Sequence, residues 1–150
     1  MDLSADLSAS LEDYLEAIFL IVQDQRAARA GDIGRRLRVG RSSVTGALKA
    51  LAERELIHYA PYERITLTRR GHELARQVVR RHEVLRDFFV KVLAIDRRQA
   101  DAAACRLEHE ISENILERFL QFVRYAEGAD LGDWMRHLRE AADKGSNDED

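Results

Sequence analysis

The chain has 150 residues, 45% hydrophobic and 34% charged, which is enough for one good core or two small cores that share an interface. Its single cysteine excludes an internal disulfide framework, its early apolar run Ala17 to Val22 is far too short to cross a bilayer, and its first ten residues lack the basic group of a signal peptide, so a reducing, cytoplasmic setting is expected. The net charge of -3 is unevenly spread: residues 1–25 hold six acidic groups and no basic ones, residues 26–91 hold 16 Lys/Arg against seven Asp/Glu, and residues 92–150 hold eight against 14.

In chain order, Ser10 to Gln25 carries Leu11, Leu15, Ile18, Phe19 and Val22 on one stripe and reads as an amphipathic helix. Ala30 to Leu37 is a short second helix. Val39-Gly40-Arg41 is a tight turn in which the glycine eases the crossing to a third helix, Ser42 to Arg54, with Val44, Leu48 and Leu51 inward. The period then changes. Ile57, Tyr59, Ile65 and Leu67 flank Ala60-Pro61-Tyr62-Glu63, which predicts a short β-hairpin with the only proline in its tip. Thr68 is placed to cap a long helix from about Arg69 to Leu93. After a break at Ala94-Ile95-Asp96, helices are expected over Arg97 to Ile111, Ser112 to Tyr125 and Leu131 to Ala142, with a polar, acidic, disordered tail behind them.

Helix, tight turn, helix and hairpin is the order of a winged helix-turn-helix, and it falls in the basic middle of the chain, where counterion release would favour phosphate binding. Arg41, Ser42, Ser43 and Thr45 sit at the amino end of the third helix, where a recognition helix meets base edges and phosphates. Lys49 and Arg64, with Arg69 and Arg70, are placed to hold the DNA backbone. The simpler alternative is that Ser42 and Ser43 only cap the helix and the hairpin is only a structural lid, with the basic charge a set of solvated helix faces.

A second constellation lies further on. Cys105, Glu108 and His109 are spaced i, i+3, i+4, so one helix face would carry a thiolate, a carboxylate and an imidazole, a plausible partial coordination shell. Asp13 and Glu16, also i, i+3, offer two carboxylates from the first helix, and His82 lies midway along the long one. Each has an ordinary alternative: Asp13 could complete a capping box with Ser10, and Cys105 could be a small core residue. No nucleophile arrangement, Gly-rich phosphate loop or HExxH pair points to an enzyme.

The segments Ser10-Leu-Glu-Asp-Tyr-Leu-Glu-Ala-Ile-Phe, Ser42-Ser-Val-Thr, Leu67-Thr-Arg-Arg-Gly71, Arg81-His-Glu-Val-Leu and Ala104-Cys-Arg-Leu-Glu-His109 resemble, in colinear order, the diphtheria-toxin-repressor family of iron-dependent repressors and manganese transport regulators. The resemblance implies a mainly α protein: a winged helix-turn-helix domain over 1–73, an all-helical metal-binding and dimerisation domain over 74–142, and a disordered tail over 143–150. It also implies a homodimer on palindromic double-stranded operators of metal-uptake genes, with no membrane and no small-molecule substrate as partner. The metal ligands it implies are Asp13, Glu16, His82, Cys105, Glu108 and His109. Asp13 and Glu16 resemble the manganese type and Cys105 the iron type, so Fe²⁺ or Mn²⁺ is expected, Fe²⁺ modestly favoured, with Zn²⁺ or Co²⁺ able to substitute in vitro. Arg86 stands where the iron type has a glutamate of a second site, and Arg41 where a proline is usual. The chain ends without the SH3-like third domain of longer members. A winged-helix regulator of an organic ligand, with no metal site, is the alternative function.

Overall fold

Ser8, rather than Ser10, opens the first helix. Its backbone is extended (φ -69°, ψ 152°) and its side chain accepts from the Leu11 N–H at 3.3 Å, the ordinary geometry of a serine N-cap. Helix α1 therefore covers Ala9–Gln25, and Asp13 lies too far into it to form a capping box. The computed structural model describes residues 7–129 and 132–145; Leu131 and residues 146–150 of the expected tail lie outside them. Among the described residues no helix is long and apolar enough to cross a membrane.

The chain forms two compact units, the first ending at Val79 and the second beginning at Arg80. In the first, α1 is followed by α2 (Ala30–Leu37), α3 (Arg41–Glu53), strands β1 (Ile57–His58) and β2 (Thr66–Leu67), and the start of α4 (Arg69–Asp87). Leu15 and Ile18 of α1, Ile33 of α2, Leu48 and Leu51 of α3, and Leu56, Ile65 and Leu74 are fully buried in one cluster. Truncating any one of these large side chains would cost about 2–5 kcal/mol.

The turn between α2 and α3 differs from the reading of the sequence. Gly40 has φ -76° and ψ 163°, open to any residue, and a Cβ there would meet nothing. The left-handed residue is Arg38 (φ 56°, ψ 44°), whose N–H bonds the Gly34 carbonyl in closing α2. Gly34 is where space is short: an added Cβ would lie 3.2 Å from the Val39 carbonyl oxygen and 3.4 Å from Val44 Cγ2. The absence of a side chain at Gly34, more than backbone freedom at Gly40, lets α3 approach α2.

The hairpin is antiparallel, with Ile57 opposite Leu67 and His58 opposite Thr66. Buried Ala28, just before α2, pairs with Ile65 through two backbone bonds of 2.9 and 2.8 Å, so the wing is anchored by a third segment. Its base is tied by Thr68. The hydroxyl donates to the Glu55 carbonyl at 2.7 Å and accepts from the Gly71 N–H at 3.0 Å, so one side chain closes the wing and caps α4. Gly71 presses on the same place, where a Cβ would sit 1.8 Å from the Leu56 carbonyl oxygen.

The second unit holds the end of α4, a π-helical turn (Phe88–Val92), α5 (Arg97–Leu107), α6 (Glu113–Gly128) and α7 (Gly132–Gly145). The helix expected to run on to Leu93 thus widens at Phe88, where the Leu93 N–H reaches the Phe88 carbonyl at 3.3 Å. Phe88 meets Phe119 edge to face at 4.6 Å, and Leu85, Ala104 and Leu116 are fully buried beside Phe89 and Leu120. Small Ala100 and Ala104 allow α5 to lie close to the π turn. Asp96 caps α5 by accepting from the Arg98 and Gln99 N–H groups at 2.9 and 3.3 Å. Helix α5 stops at Leu107, short of the expected Ile111, and a turn at Glu108 to Glu110 leads to α6. Helix α7 continues past the expected Ala142, to Gly145.

Candidate metal centre and reading face

Each residue expected at the DNA surface is exposed: Arg41, Ser42, Ser43, Thr45 and Lys49 on α3, and Arg64 on the wing. The intervening Val44, Ala47 and Leu48 are buried, so the helical period separates a core face from a polar one. Gly40 is the N-cap of α3 and no side chain bonds the first-turn amides. Ser42 and Ser43 lie inside the helix and do not cap it, which removes the simpler explanation for them. Those first-turn amides and the positive end of the helix dipole suit a phosphate oxygen. At the wing tip Tyr62 is fully exposed with φ 67°, and Arg69 at the start of α4 is ion-paired with Glu73 at 3.2 Å.

In the second unit, three residues expected as ligands come together. The continuation of α4 presents His82, and the turn after α5 presents Glu108 and His109. His82 Nδ1 lies 2.7 Å from Glu108 Oε2, and His109 Nε2 lies 3.5 Å from Glu108 Oε1. Glu108 remains nearly helical (φ -59°, ψ -27°) because its N–H still bonds the Ala104 carbonyl at 2.9 Å. The chain turns only after it.

Glu108 is the informative group. Its side chain is 0% exposed, and buried Oε1 has no hydrogen-bond donor. An unsatisfied buried polar atom costs about 1–3 kcal/mol, and more if charged, so a carboxylate here calls for a cation. With two imidazoles against it, the donor set fits a divalent transition metal. Cys105, one turn before Glu108 on α5, is exposed, so it is not a core residue. In the first unit, half-buried Asp13 and Glu16 share a face of α1.

Asp101 was not singled out in the sequence. Its Oδ1 lies 3.2 Å from His82 Nε2, and it is i, i+4, i+7 with Cys105 and Glu108, a spacing that could have drawn attention to it. Arg86 bonds Asp87 at 3.2 Å and lies 4.0 Å from Asp101. Burial pushes the Asp87 carboxyl up, but its bonds to Lys91 and Arg86 outweigh this and hold it below the ordinary aspartate value. The hydrogen bonds that Lys91 donates to Glu127 and Asp87 raise its pKa, and those that Arg80 donates to Glu117 and Glu113 raise its own.

A winged reading unit, followed by a helical unit that carries two imidazoles on a buried carboxylate, defines a DNA-binding regulator with a candidate metal centre. Residues 6–65 match the model for "Iron dependent repressor, N-terminal DNA binding domain", and residues 68–133 match "Iron dependent repressor, metal binding and dimerisation domain". An HTH-type transcriptional regulator of Methanocaldococcus jannaschii is 36% identical over 118 residues, covering 78% of this chain and 94% of that protein. The HTH-type transcriptional regulator MntR of Shouchella clausii is 34% identical over 116 residues, 77% of this chain and 80% of MntR. A manganese-dependent transcriptional repressor solved in complex with manganese superposes with a TM-score of 0.70 at 27% identity, over 77% of this chain. The chain spans only 53% of that solved protein. The chain belongs to the iron-dependent repressor family, known also as the diphtheria-toxin-repressor family, and is a metal-dependent transcriptional regulator of that family.

Proposed function

We propose that this protein is a cytoplasmic repressor that, as a homodimer loaded with Fe²⁺ or Mn²⁺, binds palindromic operators of metal-uptake genes. The observation that carries the metal requirement is the buried Glu108 oxygen, which lacks a donor while His82 and His109 stand against the same carboxylate. The ligands we assign are Asp13, Glu16, His82, Cys105, Glu108 and His109. Asp13 and Glu16 enter through the family resemblance and their hard-oxygen chemistry.

A bound divalent cation supplies the positive charge that lets these carboxylates converge. Asp13 and Glu16 belong to the reading half of the chain, so their ligation would hold each α3 in a fixed pose. Two recognition helices of a dimer then match half-sites about one duplex turn, ~34 Å, apart. Arg41, Ser42, Ser43 and Thr45 meet the groove, and Lys49 and Arg64 meet phosphates. Linkage makes metal and operator raise each other's affinity by the same factor, ordinarily about 1–3 kcal/mol.

The test is operator binding at fixed salt with Mn²⁺, Fe²⁺, Zn²⁺ or a chelator. Binding that needs Fe²⁺ or Mn²⁺ and is lost with chelator supports the reading. Equal affinity in chelator would replace it with a regulator of an organic ligand.

A further inference from the structure

We propose that Asp101 is the positioning residue for His82, accepting its Nε2–H so that the ring presents Nδ1 beside Glu108 as the metal-binding nitrogen. The inference rests on the reading of His82 as a ligand. The two nitrogens of an imidazole diverge, and here they face different acids: Nδ1 is 2.7 Å from Glu108 Oε2, and Nε2 is 3.2 Å from Asp101 Oδ1. One cation cannot be shared by Nδ1 and Asp101, because the ring stands between them. The two carboxylates therefore have different roles.

Their surroundings differ in the same sense. Glu108 is 0% exposed with a donorless oxygen, whereas the Asp101 side chain is 45% exposed and has a cation of its own, with Arg86 at 4.0 Å. Arg86 is held in turn by Asp87 at 3.2 Å. A ligating imidazole carries its hydrogen on the nitrogen away from the metal, and a carboxylate accepting that hydrogen fixes the tautomer and ring plane while raising ligand basicity. Asp101 meets that description from α5, which also leads to Glu108, so one helix sets both the ring's orientation and its neighbour.

The experiment uses the full chain as wild type, Asp101→Ala, Asp101→Asn, Asp101→Glu and His82→Ala. Mn²⁺ affinity is read by chelator competition, and the His82 ring is read by nitrogen-15 NMR on the Zn²⁺-loaded protein. Asp101→Ala and Asp101→Asn are expected to weaken Mn²⁺ binding about 10–100-fold and to change the hydrogen-bonded Nε2–H signal. Asp101→Glu is expected to recover most of both. Unchanged affinity in Asp101→Ala, while His82→Ala loses binding, overturns the role of Asp101 alone. Weaker affinity with an unchanged ring signal also overturns it, because Asp101 would then act only through its charge. Unchanged affinity in His82→Ala instead removes His82 from the ligand set, a separate failure of the function proposed above.

Discussion

Cys105 bears most directly on which metal the protein obeys. Its exposure rules out a packed core thiol, and it lies one helical turn from Glu108. A thiolate suits Fe²⁺ better than Mn²⁺, while Asp13 and Glu16, as the ligands proposed above, would add hard oxygens that suit Mn²⁺. Cys105→Ala is expected to weaken operator activation by Fe²⁺ more than by Mn²⁺, and Cys105→Glu to move the preference toward Mn²⁺. Anaerobic operator titrations decide this; if Cys105→Ala leaves both metal curves in place, the thiolate is not a ligand. On the reading face, Arg41→Ala is expected to cost about 1–3 kcal/mol and to relax preference at one position per half-site. Arg64→Ala should instead weaken all duplexes alike and flatten the salt dependence. Equal binding of both variants and wild type to every duplex would overturn the docking.

At the scale of elements, the knot formed by Thr68, Glu55, Leu56 and Gly71 determines how the wing meets α4. Gly71→Ala would drive a Cβ into the Leu56 backbone, which cannot rotate away as a side chain can. The expected loss is ~1–3 kcal/mol or more in urea unfolding, with a weaker or displaced wing. Gly46→Ala is the control, since its Cβ meets nothing and an exposed helical glycine gains up to about 1 kcal/mol on replacement. Equal stability of the two variants would show that the close approach at Gly71 is unimportant. Most of this architecture was legible in the sequence. The stripe from Leu11 to Val22, the proline-tipped hairpin and the Thr68 cap all rest on local periodicity or turn chemistry. The features that were not legible depend on distant packing. Ala28 pairs with Ile65 across 37 positions, Gly34 is small because Val39 and Val44 return to it, and the π turn forms where Phe88 meets Phe119. Of the candidate site, the spacing from Cys105 to His109 showed which residues to consider. It did not show that Glu108 would be buried and Cys105 exposed, nor that Asp101 would hold the far side of His82.

At the scale of the molecule, each unit has its own apolar cluster. In the second, Leu116 and Val123 turn inward on α6, whereas Ile115, Phe122 and Tyr125 remain 50%, 44% and 67% exposed. The apolar residues of α6 are therefore split between the unit's own core and an exposed apolar face. If the proposed second copy packs on that face, dimerisation should survive removal of metal, and a monomeric metal-free protein in sedimentation would count against it.

The closed base of the wing has a consequence for how control can be exerted. With Thr68 tying Glu55 to α4 and Ala28 bridging Ile65, the reading head is complete through contacts among its own residues. For the dimer and operator proposed above, a cation would then have little to add to the grip of one head on one half-site; what it could change is the effective concentration at which the second head meets the second half-site. Control would then be a matter of avidity, in which linked heads can gain about 10²–10⁴ in binding without any new contact. On a duplex carrying a single half-site, the difference between Mn²⁺ and chelator should accordingly shrink to near nothing, while on the full palindrome it persists. A metal response of the same size on both duplexes would mean that the cation reshapes the head itself.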